Sequence, residues 1–411
     1  MAVAETFHPE VTERSATFGF AVIALIFVFV LSVQLNRSMV IDIYNLSGTR
    51  VDLLGYAFCQ VVGFCLAIYG LQIGHIRVTV VYICLVLIFY LTLVLVITAP
   101  GKSYIAFLVS RYGILNWLLI GLGAAGAISI LQSMRLSKSI RFVRILYLIS
   151  ASICAALSIT FALAYMAVPL WTVSYQSVAN NAMMMMIVNL VVIEALWGKD
   201  KPTFLMLGFI ATSAMLAVAI SIAGSTGIIA FWVAVNTALT LEIIRRARFD
   251  RKILMAALCI LFGLYFTTTE SFREFTESSR FAVFFGGEGS FSSVQSRLSI
   301  LDSFGEQFVV SPIFGHFSAE IVSGAGAGNF VHSLPLAFLT HSGVVGFSLM
   351  CICLGFVLGG RLVQQGLDTA EKQYAIYMLV VLLLGTLATF LTWSVFWFML
   401  GLLCKRTNLA Q

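Results

Sequence analysis

Runs of roughly 17–25 apolar residues recur along this chain, each long enough to cross about 30 Å of hydrocarbon as a helix. "VYICLVLIFYLTLVLVIT" (81–98) is one, and it carries no charge at all. Inside a bilayer no water meets the backbone N–H and C=O groups, so such runs satisfy them internally by folding as helices. Charged residues are only 10% of the chain, against about 25% in a soluble domain. The fold class that follows is an all-α polytopic membrane protein.

Apolar runs and their polar borders predict about twelve spans, near 18–35, 53–73, 78–98, 113–131, 145–168, 182–197, 203–222, 227–241, 253–269, 334–358, 374–390 and 391–404. The first is too long for a signal-peptide core and no small-residue cleavage site follows it, so it reads as an uncleaved span. The seventh and eighth meet at "AGSTG" (223–227), a tight reversal or break. All eight cysteines lie in or beside spans. That leaves no disulfide for an external loop and no metal-type spacing outside the spans.

Lys and Arg accumulate in cytoplasmic loops. With the N-terminus inside, 17 of the 24 basic residues fall on the inner side, in clusters such as "RLSKSIRFVR" (135–144) and "RRARFDRK" (245–252). The C-terminus is then inside as well. The net charge of +6 is accounted for by these orientation signals, and no nucleic-acid partner is needed.

This topology divides the chain into spans one to nine (1–269), one long outer loop (270–333), and spans ten to twelve with an inner C-terminus (334–411). A long connection in a compact protein is usually functional or disordered. Within it, "VQSRLSILDSFGEQF" (294–308) places Val294, Leu298, Leu301 and Phe304 or Phe308 at helical spacing, predicting an amphipathic helix on the membrane surface. "GGEGSFSS" (286–293) and "SGAGAGN" (323–329) are flexible and let backbone approach a ligand. The loop's Arg297 and His332 suit an anionic substrate, because guanidinium grips phosphate bidentately and imidazole exchanges protons near neutral pH. The plainer readings are an arginine reaching for lipid phosphate and a histidine starting a helix. Arg273 and Arg280 have Glu270, Glu274 and Glu277 as helical partners.

Five short motifs stand in a particular order. Asn180–Asn181 precede a span in "SVANNAMMMMIVNLVV" (177–192), and Ser225 and Thr226 lie at the span break "AGSTGIIAF" (223–231). Ser296–Arg297–Leu298 opens the apolar helix of the loop, "SPIFG" (311–315) follows, and His332 leads into "VHSLPLAFLTHSGVVGFSLM" (331–350). In this order, over roughly residues 170–360, the chain resembles the O-antigen polymerase and O-antigen ligase superfamily of bacterial envelope glycan assembly.

The resemblance implies a GT-C-like glycosyltransferase architecture in the bacterial inner membrane, with the long loop periplasmic. It implies transfer of a glycan from undecaprenyl diphosphate, with no metal or cofactor. By position Arg297 would hold the diphosphate and His332 would act on the acceptor hydroxyl. Arg280, Arg273, Asn181, Ser225 and Thr226 are the further candidates for binding diphosphate or glycan. The expected partners are the undecaprenyl-diphosphate-linked oligosaccharide, a chain-length regulator (a polysaccharide co-polymerase) and membrane lipid. Two positions depart from the family pattern: Thr226 stands where an arginine is expected, and Ser333 where an asparagine often follows the histidine. Both favour the polymerase branch over the ligase. A flippase or other transporter is the rival from another class, and the near absence of ionisable residues deep in the spans speaks against it.

Overall fold

The structure is a computed structural model. It describes residues 9–44, 50–101, 103–109, 113–167, 175–223, 226–246, 304–317, 333–363, 369–388, 391 and 393–406. The ninth expected span, both Gly-rich segments, Ser225, Arg273, Arg280, Arg297 and His332 lie outside the described residues.

Among the described residues the regular structure is helical: α1 (Pro9–Tyr44), α2 (Arg50–Gln72), α3 (Val78–Thr98), α4 (Tyr104–Val109), α5 (Ile114–Ser133), α6 (Ile140–Ala167), α7 (Tyr175–Trp197), α8 (Thr203–Ala223) and α9 (Thr226–Arg246), then α10 (Phe304–Val310), α11 (Leu334–Val363), α12 (Thr369–Ala388) and α13 (Ser394–Leu402). Among the described residues eight stretches, in α1, α2, α3, α4–α5, α6, α7, α8 and α11, are long and apolar enough to cross a membrane. The protein is therefore a multi-pass helical membrane protein. The expected break at 223–227 falls between the end of α8 at Ala223 and the start of α9 at Thr226.

The centre of the bundle is α5, whose sixteen buried residues include "GAAGA" (123–127). Lipid tails are as apolar as leucine, so helices in a membrane gain by close van der Waals approach, which small residues permit. Gly123 lies against the backbone of Gly63 on α2, and Gly121 against the Phe398 carbonyl of α13. Hydrogen bonds cross the buried interfaces: Gln60 Nε2 donates to Asn116 Oδ1 (2.7 Å), and Ser158 Oγ to Asn36 Oδ1 (2.9 Å).

The stretch expected as a twelfth span, 391–404, differs from the expectation. Its helix, α13, has nine residues, all buried. At 1.5 Å per residue that is roughly 14 Å, too short to cross the hydrocarbon. Its length and composition read as a span because burial inside a helix bundle demands the same apolar residues as lipid does. Of the expected amphipathic helix only its end is described, as α10, where Phe304 and Phe308 stack at 5.6 Å and Glu306 is exposed. Gln307, a polar residue, is the buried one.

Helix ends gather on two sides. On one side the α2–α3 connection meets the end of α13: Arg77 N donates to the Cys404 carbonyl (2.9 Å) and Arg406 N to the His75 carbonyl (2.6 Å). The Arg77 guanidinium donates to the Leu403 carbonyl (2.9 Å) and to the Phe356 carbonyl of α11 (3.1 Å). On the same side the C-terminus of α7 receives Arg135, which donates to the Glu194 and Ala195 carbonyls, and Arg144, which donates to that of Leu196 (2.8 Å). Cations suit the negative end of a helix dipole.

Candidate functional site

The opposite side carries "SPIFG" and the first half of α11. There "SPIFGHF" (311–317) follows α10 and closes a turn, Gly315 N donating to the Ser311 carbonyl (2.9 Å). Gly315 has φ +81° and Gly343, inside α11, has φ +62° and ψ −170°. Both sit in the left-handed region that side chains resist. A Cβ on Gly315 would strike the His341 carbonyl, and one on Gly343 the carbonyl of Ile313.

Gly343 breaks α11 and thereby frees backbone groups on each side of the break. Left unpaired near lipid, each would cost several kcal/mol. The turn takes them up. His316 N donates to the Thr340 carbonyl (3.0 Å), and Val344 N and Val345 N donate to the Pro312 and Ile313 carbonyls (2.9 and 3.1 Å). The second half of α11 thus has its positive end capped by two carbonyls of its own chain. Tyr90 of α3 points its hydroxyl between the Phe314 and Ser342 carbonyls (3.0 and 3.1 Å). Phe317 N donates to Thr98 Oγ1 (3.0 Å), while the Phe317 ring stacks on His341 (4.9 Å) and meets Phe107 edge-on (5.5 Å). Two of the five motifs, "SPIFG" and the glycine pair of α11, are therefore the two halves of one joint.

A second point of convergence lies at the start of α11. Asn180 Oδ1 on α7 accepts from Trp393 Nε1 (2.8 Å). Trp393 begins α13, and its ring and Leu334 both lie against Gly385 of α12. Ser333, the neighbour of His332, is buried, and its carbonyl accepts from Ala337 N (2.7 Å). Asn181 is 5% exposed, and its Nδ2 has no hydrogen-bond partner among the described residues. A buried amide without a partner is costly, and Asn181 is one of several such buried groups among the described residues. Thr226 is the first residue of α9.

Of the expected site residues the structure thus places Asn181 and the backbone of Thr226. It also fixes the chain on either side of the segment that ends at His332. The sequence reading missed Tyr90, Thr98 and Trp393 as partners of the motifs. For Trp393 a signal existed, since an indole N–H in a buried stretch needs an acceptor. For Tyr90 and Thr98 there was none, because α3 lies more than 200 residues away along the chain. Among the described residues no group of three His, Cys, Asp or Glu is placed to hold a metal ion.

A third polar cluster lies near the ends of α7 and α9. Lys201 pairs with Glu194 (2.5 Å) and Glu242 (3.5 Å), with both Lys201 and Glu194 side chains 7% exposed. Compared with models of known families, with curated proteins and with solved structures, the chain matches none.

Proposed function

We propose that this protein is an O-antigen polymerase, a glycosyltransferase that joins undecaprenyl-diphosphate-linked repeat units on the periplasmic face of the bacterial inner membrane. The observation that carries the reading is the joint between residues 311–317 and the break at Gly343. It lies opposite the side that gathers Arg77, Arg135, Arg144 and Lys405, as an outer face should under the positive-inside rule. It also anchors both flanks of the segment carrying His332, on the side where a lipid-linked donor would present its sugar.

In this reading Arg297 holds the diphosphate and offsets the charge that develops there as the glycosidic bond breaks. His332 accepts the proton of the acceptor hydroxyl, whose oxygen bonds to the anomeric carbon while the diphosphate leaves with the electron pair. The buried Asn181 amide is a donor available to glycan or diphosphate, and Arg280, Arg273, Ser225 and Thr226 complete the candidate binding set.

The test supplies purified protein with an undecaprenyl-diphosphate-linked repeat unit and compares it with Arg297→Ala and His332→Ala. A ladder of lengthening glycan that disappears in both variants supports the polymerase. Transfer that begins only when lipid A core is supplied makes the protein a ligase.

A second reading, transport of the lipid-linked sugar, is favoured by the largely buried Glu194–Lys201–Glu242 cluster, since ionisable groups inside helix bundles often mark coupled movement. Against it, the positive half-helix end that a transporter would aim at its substrate is capped here by Pro312 and Ile313. Movement of lipid-linked sugar across vesicles without any elongation would decide for transport.

A further inference from the structure

A groove of about 230 Å³ runs between α6 and α8, with α7 as its floor. Small residues make it: Ala151 and Ala155 on α6 face Gly208 on α8. A side chain at Gly208 would meet nothing within 4 Å. Flanking the groove, Ile149, Ile153 and Leu157 on α6 and Phe204 and Leu207 on α8 are exposed, as on a surface turned to lipid.

Most polar groups in the groove bond within the protein. The Tyr147 hydroxyl donates to Asn189 (3.3 Å to the carbonyl, 3.2 Å to Oδ1), Asn189 Nδ2 donates to the Met185 carbonyl (2.9 Å), and Ser213 Oγ donates to Asn236 Oδ1 (2.7 Å). Nothing in the groove calls for a polar ligand, and the remaining space suits hydrocarbon. A gap between packed helices forfeits dispersion contacts that a flexible chain would restore.

One end of the groove is charged. The residues of α6 that line it, Ser158, Ala155, Ala151 and Leu148, continue at the same three-and-four spacing to Arg144 and Arg141. Arg141 is exposed. The Arg144 guanidinium lies 5.4 Å from the centre of the Trp197 ring, and Trp197 meets Tyr147 at 5.8 Å. Cation, indole and phenol thus lead from the end of the bundle into the groove. Residues 135–144 hold Arg135, Lys138, Arg141 and Arg144 and no acidic residue.

From this placement we propose that the α6–α8 groove binds an anionic phospholipid, one acyl chain lying against Ala151, Ala155 and Gly208 and the phosphate meeting Arg141 and Arg144. The charge at the mouth selects the headgroup, and the small residues admit the chain. The site is independent of the glycan chemistry proposed above.

Native mass spectrometry of the purified protein, titrated separately with phosphatidylglycerol and with phosphatidylcholine of matched chains, tests this. The wild type is expected to hold one phosphatidylglycerol in preference to phosphatidylcholine. Gly208→Leu fills the groove and abolishes that binding; Ala155→Leu on the facing helix is a second plug should the first variant fold poorly. Arg141→Gln weakens phosphatidylglycerol by about fivefold, the effect of one basic residue at an anionic surface, and leaves phosphatidylcholine unchanged. Equal binding of the two lipids by the wild type would overturn the proposal, as would wild-type retention in both plugged variants. Unchanged phosphatidylglycerol binding in Arg141→Gln would overturn the assignment of the phosphate.

Discussion

The two sides of this bundle are closed by different chemistry. On the basic side, charged side chains finish the helices: Arg77, Arg135 and Arg144 each donate to carbonyls at helix ends, and Lys201 ties α7 to α9. On the other side the joint is closed mainly by backbone-to-backbone bonds, with two left-handed glycines and the uncharged hydroxyls of Tyr90 and Thr98 completing it. Long cationic side chains tolerate small displacements because their stems adjust. A joint of interlocked main chain does not, and its geometry is set by shape.

The largest effect should come from breaking the charged side. Lys201→Met leaves the buried Glu194 carboxylate and the part-buried Glu242 without their shared cation, and removal of one partner from a buried pair costs about 3–5 kcal/mol. Unfolding of the purified protein in detergent would read this as a large drop in midpoint. A midpoint unchanged from wild type would mean that the cluster contributes nothing to holding α7 to α9.

Gly343→Ala comes next. It forces a side chain into φ +62° and against the Ile313 carbonyl, at a cost on the order of 3 kcal/mol. Under the proposed polymerase function, elongation should fall further than stability does. Equal activity per folded molecule would separate the joint from function. Tyr90→Phe keeps the ring and removes one hydroxyl shared by two carbonyls, so about 1 kcal/mol is expected. Limited proteolysis near residues 311–317 should detect the loosened turn, and an unaltered cleavage rate would show that the backbone bonds suffice.

The smallest effect concerns His75, half-buried beside the C-terminal Lys405 and Arg406. Burial first, and then these two cations, hold its ring below the ordinary value of 6.5. The unfolded chain therefore takes up the proton more readily than the folded one. Stability from this group is fully present above about 6.5 and is lost as pH falls through the lower folded value. His75→Gln should flatten the acid limb of a stability–pH curve, and an identical limb would assign the acid sensitivity to other groups.

Much of the fold was open to a reading of the sequence because lipid imposes one strong rule on composition. The apolar runs located α2, α3 and α8 to within three residues and marked the central part of the longer α1, α6, α7 and α11, and the described basic residues Arg77, Arg135, Arg144 and Lys405 fall on one side of the bundle. Residues 391–404 were harder, since α13 is apolar for burial against α5 and is too short to span. Of the candidate site, the motifs around Asn180, Pro312 and Gly343 were visible as patterns, but their partners were not.

What the sequence by itself determined is the solvent of each segment: twenty apolar residues in a row admit a helix in lipid, and clustered Lys and Arg mark one side. The tertiary structure alone decided which backbone groups meet. Gly343 could break α11 only because Pro312, Ile313 and His316 were there to take the freed groups, and Tyr90 to hold them. Composition responds to the average surroundings of a residue, whereas a hydrogen bond depends on a single atom placed within about 3 Å by a distant part of the chain.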